Sequence, residues 1–155
     1  GTLIEASPPS FQKLKQNRPN NRLFHNAVCS ERKLISFSGS NAAAGIKELM
    51  GNEHIKANQF GSAIHTVQCE RLSTLLSGVE SIDLWSLDVE GAEYDVLLSM
   101  DWNIPVRVII IERNANDLAI EQLLLNKGFK YVREQRGNRV WVNPTFESKS
   151  GISKL

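Results

Sequence analysis

The apolar positions of this chain fall in short dense runs, and the most informative is Ile82 to Met100, IDLWSLDVEGAEYDVLLSM. Leu84, Trp85, Leu87 and Val89 form a near-continuous apolar run rather than a strict alternation. That pattern predicts a strand covered on both faces, as in a parallel α/β sheet. Two acids, Asp88 and Glu90, close the run, and a glycine follows. Beyond it Ala92, Val96 and Met100 recur at a spacing of four, one face of a helix that packs back on the sheet. Val106–Glu112 (VRVIIIE) is the clearest buried strand, and it also ends in an acid.

The same pattern opens the chain in miniature. Leu3-Ile4-Glu5 is a short strand ending in an acid; Ser7 reads as an N-cap, Pro8 as the first helical position, and Arg18-Pro19-Asn20 as the stop. Leu23–Cys29 and Lys33–Ser38 read as further strands. Residues 39–61 read mainly as a long loop, with a short helix at Ala43–Met50 as the alternative. Ser62–Cys69 reads as a strand and Glu70–Leu76 as a helix. Asn116 caps a helix running to Lys127, with Ala119, Ile120, Leu123 and Leu124 inward and Gly128 as its stop. Phe129–Glu134 and Arg139–Val142 flank Arg136-Gly137-Asn138 as an antiparallel hairpin. The expected architecture is an α/β domain over 1–144, a mostly parallel sheet flanked by helices, with the hairpin adding one antiparallel strand at its edge. A polar tail, 145–155, follows.

Bulk numbers narrow the function by exclusion. At 155 residues the chain makes one domain with a sizeable core. A formal net charge of +1 offers no attraction to nucleic acid or to an anionic membrane. No apolar run is long enough to span a bilayer. Cys29 and Cys69 are far apart and are read as two reduced, partly buried thiols, with a single disulfide as the alternative. No Asn-x-Ser/Thr acceptor lacking proline is present, and the expected location is cytoplasmic.

Three strand ends carry acids: Glu5, Asp88 with Glu90, and Glu112. In a parallel sheet these ends share one edge, where ligands of α/β folds bind, and buried carboxylates there need partners. A ribose hydroxyl, an ammonium group or basic side chains would serve; the bland alternative is that each acid favours the helix after it. Asp88, Glu90 and Glu93 are close enough in sequence to raise a hard cation, but the spacing is not that of a calcium loop, and no metal site is assigned. His25, His54 and His65 lack zinc-ligand spacing; His25 and His65 fall in expected strands, and His54 in the long loop is the more functional candidate. Lys13, Lys15, Arg18 and Arg22 read as a solvated helix face, and neither a nucleophile elbow nor a phosphate loop is present.

LIEASPPSFQKLKQNRPN, HNAVC, VQCERLSTLL, IDLWSLDVEGAEYDVL, VIIIE and NKGF together resemble the FkbM family of S-adenosylmethionine-dependent methyltransferases. LDVEGAE preceded by IDLWS is the most specific part, and IEASP the next. The resemblance implies a class I, Rossmann-like methyltransferase fold and methyl transfer to a hydroxyl of a small molecule or sugar. It further implies that Glu5 holds the cofactor ribose, with Ala6 and Ser7 in the same loop. Asn26 and Ala27 then lie near the adenine, and Asp88 and Glu90 near the methionine end and the acceptor. In this family a first strand and a glycine-rich turn precede the IEASP segment, and this sequence opens just upstream of it. The expectation is therefore an N-terminally incomplete methyltransferase domain: a fragment, a fold completed by a partner chain or a second copy, or one that has lost cofactor binding. Without its middle strand the sheet would close up with the Glu5 strand beside the Asp88 strand. A non-catalytic interaction domain on the same fold and a metal-dependent enzyme using the acid cluster are the competing readings.

Overall fold

The computed structural model describes residues 1–38, 45–46, 64–113 and 115–146. The first strand, β1 (Thr2–Ile4), leads into α1 (Pro8–Asn17), then β2 (Arg22–Phe24) and β3 (Ala27–Val28). β4 (Lys33–Ser38), β5 (Gly45–Ile46) and β6 (Ile64–Glu70) follow, then a single helical turn, α2 (Leu72–Leu75). The second half runs β7 (Ile82–Leu87), α3 (Glu93–Leu98), β8 (Val106–Glu112), α4 (Asp117–Asn126), β9 (Lys130–Gln135) and β10 (Asn138–Val142).

These strands form three small sheets: β1-β2, β7-β8-β10-β9 and β3-β6-β4-β5. β1–β2, β3–β6 and β7–β8 are parallel. The pairs β4–β5, β4–β6, β8–β10 and β9–β10 are antiparallel. The expected single, mostly parallel sheet is thus replaced by split, mixed ones. The hairpin does not add one strand at an edge. Its β10 pairs directly with β8, and β9 lies outermost. Arg136 at φ 52 and Gly137 at φ 80 make its turn, a conformation that matches the right-handed strand twist.

The main core lies under the second sheet. Ile109 and Ile111 of β8 and Trp141 of β10 pack with Leu97 of α3 and Ile120 and Leu124 of α4, each nearly fully buried. Each such side chain contributes about 1.5–3 kcal/mol relative to exposure. Ala92, Val96 and Met100 are all buried, as their spacing predicts. On α4 Ile120 and Leu124 face inward, Leu123 is half-buried and Ala119 is exposed. A smaller core gathers Ala27, Cys29, Ile35, Val67, Cys69 and Ala92.

Other expectations are corrected. Leu23–Cys29 is two strands in two different sheets, because the chain breaks at His25-Asn26 and Asn26 Nδ2 donates to Gln68 O at 3.2 Å instead of continuing the ladder. Gly45–Ile46 pairs with β4 and is not helical; the rest of the 39–61 expectation, with His54, and the tail beyond Phe146 lie outside the described residues. Glu70 ends β6 rather than starting a helix. Leu84 is 60% exposed, so β7 is not covered on both faces. The two cysteines form a disulfide, Cys29–Cys69, because parallel pairing of β3 with β6 brings their Cα atoms to 5.7 Å. Finally, the Glu5 strand does not close onto the Asp88 strand: among the described residues β1 pairs only with β2, and β7 only with β8.

Candidate functional site

Between these unclosed edges lies a cleft of about 1170 Å³. One wall is the β1 strand and the loop after it, including Glu5, Ala6 and Ser7; Asn26, Ala27 and Val28 extend it. The opposite wall is β7 and the loop beyond, including Asp88 and Glu90. Every residue that the sequence assigns to donor or acceptor therefore lines one cavity. Its volume exceeds the roughly 300–1,000 Å³ typical of a small-molecule pocket.

The first wall is set by the start of α1. Ser7 is extended (φ −70, ψ 120), and Pro8 takes the first helical turn where its missing N–H costs nothing. Ser7 does not cap the helix with its side chain. Its backbone N–H donates to Glu5 Oε1 at 2.7 Å, which fixes the carboxylate at the end of β1. Ser7 is 2% exposed, and its Oγ is buried without a hydrogen-bond partner. Buried hydroxyls are almost always bonded, so this one has a capacity the described residues do not use.

The second wall is set by a buried acid. After β7 the backbone turns through Glu90 at φ 54 and Gly91 at φ 106, left-handed values that glycine adopts without strain and glutamate does not. Glu93, fully buried at the start of α3, holds that turn. Its carboxylate accepts from Val89 N at 2.9 Å and from Gly91 N at 3.1 Å. Glu93 thus folds back onto its own backbone and does not join the acid cluster, although sequence proximity had grouped it there. Glu93→Ala should lower stability by about 3 kcal/mol, since hydrogen bonds to a charged group contribute roughly 1.5–3 each. Denaturant unfolding measures it, and Glu93→Gln, which keeps the shape, should cost less.

Glu112 joins the site instead. The β7–β8 register pairs Leu87 with Ile111, so the next residues, Asp88 and Glu112, emerge side by side. Carboxylate oxygens of Asp88, Glu90 and Glu112 lie within 4.8 Å of one another. The Glu112 carboxyl is pushed up to about 7. Burial is the largest cause; the Asp88 charge and hydrogen bond come next, then the Glu90 and Glu93 charges. The Asp88 carboxylate beside it thus favours the protonated form of Glu112. The sequence marked Glu112 as a strand-end acid, but its partner became visible only through the register.

This proton links folding to pH. The folded chain keeps it up to about 7, whereas the unfolded chain releases it near 4.5. Stability from protonated Glu112 is therefore full below about 4.5 and lost as pH rises through about 7. Thermal melts from about pH 5 to 8 should fall less steeply for Glu112→Gln than for the natural chain.

Residues 1–131 match the methyltransferase FkbM domain. The chain belongs to the FkbM methyltransferase family. A curated relative, methyltransferase sdnD of Sordaria araneosa, is 34% identical over 93 residues, covering 50% of this chain. The match spans 36% of that relative, so the chain corresponds to about a third of its length. No solved structure gives a significant match. This is a family of enzymes, and the residues that the resemblance assigns to donor and acceptor line the two walls of the cleft. Among the described residues no helix is long and apolar enough to cross a membrane.

Proposed function

We propose that this FkbM chain forms the donor and acceptor walls of an S-adenosylmethionine-dependent O-methyltransferase acting on a hydroxyl of a small molecule or sugar. The cleft carries the reading: acids from the ends of two different sheets face one cavity in a methyltransferase-family chain. The buried, unpartnered Ser7 Oγ on its wall fits a polar ligand. When bound, the cofactor would supply a methyl group on a positively charged sulfur. Glu5, fixed by Ser7 N–H, would accept from ribose hydroxyls. Asn26 and Ala27 would border the adenine. Asp88 and Glu90 would hold the ammonium group or take the acceptor's proton, with Glu112 setting the proton balance beside them. Alignment of hydroxyl and methyl would supply much of the rate.

The excess volume and the free edges of β1 and β7 suit one further extended segment between them, from elsewhere in the protein, a partner chain or a second copy. Calorimetry with S-adenosylmethionine tests the donor role. Glu5→Ala should weaken binding at least about tenfold, the loss of a charge-assisted hydrogen bond, with the fold kept by circular dichroism. Absence of binding by the protein with its sheet completed sinks the reading. The 4.8 Å cluster favours one second reading, a hard divalent cation held by Asp88, Glu90 and Glu112. Titration with Mg²⁺ and Mn²⁺ alone, lost in Asp88→Asn, would favour it.

A further inference from the structure

We propose that the Cys29–Cys69 disulfide is a redox-responsive clamp in the small core beneath the cleft, so that the cleft's shape, and ligand binding in it, answer to the thiol–disulfide state. The ligand part rests on the donor site proposed above.

The small core contains six buried residues, and two of them are these cysteines. Cys69 is fully buried and Cys29 is 7% exposed. Three cleft-lining segments rest on that core. Ala27 belongs to it directly, two residues before Cys29; Ala92 belongs to it from the loop after β7; Ala6 and Val89 pack against it from the two walls. The bond therefore lies in the small core behind both walls, and neither cysteine lines the cleft itself.

Besides the packing of Val28 on the main core and of Ala27 in the small one, few backbone contacts hold the Asn26–Val28 segment among the described residues. Strand β3 is two residues long and pairs with β6 only at Ala27↔Cys69 and Val28↔Glu70. Cys29 N donates to Glu70 O at 3.0 Å, and Asn26 Nδ2 to Gln68 O at 3.2 Å. A ladder this short opens locally at low cost, and such elements sit at the least stable end of a fold. Local opening is the route by which a reductant reaches the buried sulfurs. A dithiol supplies two electrons: its thiolate attacks one sulfur, a mixed disulfide forms, and its second thiol resolves it. Cys29 and Cys69 leave as two thiols carrying two protons, and the dithiol becomes a disulfide. The thiols then separate beyond bonding distance, and the small core loses its covalent tie.

Hydrogen exchange by mass spectrometry at about 25 °C tests this on the whole chain, oxidised and after dithiothreitol. Reduction should speed exchange at least about tenfold in peptides covering 26–28 and 89–92, while β8 and β10 stay protected. Equal exchange in both states overturns the clamp. So does a bond that dithiothreitol leaves intact, or loss of protection throughout, which marks a purely structural disulfide. S-adenosylmethionine calorimetry on both forms gives the second readout, with binding weaker at least about tenfold after reduction. Equal binding in both forms overturns the clamp. Binding in neither form counts against the donor site, and the exchange data still decide the clamp. The Cys29→Ala/Cys69→Ala variant should reproduce the reduced pattern without reductant; if it matches the oxidised chain, the clamp fails.

Discussion

On the methyl transfer proposed above, Asp88→Asn should lower the rate by about 10²–10⁴-fold, the range lost with a positioned proton acceptor. The substitution keeps size and shape and removes only the charge. It should leave the fold intact, because Asp88 is exposed just beyond the end of β7. A second effect separates this from simple damage. Asp88 is the neighbour that raises Glu112 most after burial, so Asp88→Asn should let Glu112 move back toward the usual carboxylate range. The decline in stability as pH rises toward 7 should therefore shrink in the variant, read from the same melts that test Glu112→Gln. A variant with full turnover in a methyltransferase assay would remove Asp88 from the chemistry. An unchanged pH dependence would remove the Asp88–Glu112 pair.

Trp141→Ala should cost about 3–5 kcal/mol, a large part of the stability of a domain this size. Trp141 is 1% exposed, pairs with Ile109 across β8 and Tyr131 across β9, and meets the Tyr131 ring edge-on at 5.4 Å. The hairpin register places it where both neighbouring strands converge. Its indole N–H is buried without a partner among the described residues. Trp141→Phe deletes that unsatisfied donor along with some volume, so it should cost far less than the alanine change, about 1 kcal/mol. Urea unfolding of the two variants measures the gap; equal losses would mean that the indole N–H has a partner after all.

The second half of the chain was the readable half. β7, α3, β8, α4 and the hairpin follow from apolar runs, a spacing of four at Ala92, Val96 and Met100, and the Arg136-Gly137 turn, all of which act between residues close in sequence. The cleft residues were also legible, because strand-end acids and the FkbM phrases mark them. What escaped depends on distant pairing. Leu23–Cys29 has the composition of one strand, and nothing local says that Phe24 follows β1 while Ala27 follows β6. The Cys29–Cys69 bond spans 40 residues and needs that same register. Glu93 looks like a cluster acid until its carboxylate is found on the Val89 and Gly91 amides. Glu112 becomes a partner of Asp88 only when β7 and β8 are known to be adjacent and in step.

The separate β1–β2 sheet has a consequence for how the molecule breathes. With α1 it makes a unit that no backbone ladder joins to the other sheets among the described residues. Arg22 Nη1 donating to Ser77 O at 2.9 Å is one side-chain tie across to the rest. Although Ile4 packs on the main core, such a unit is expected to open before the body built on β8 and β10 gives way, which hydrogen exchange would show. A ligand touching both Glu5 and Asp88 would staple this weak unit to the strong one. Its binding energy would then appear unevenly, as slowed opening of the first two dozen residues with the body barely changed.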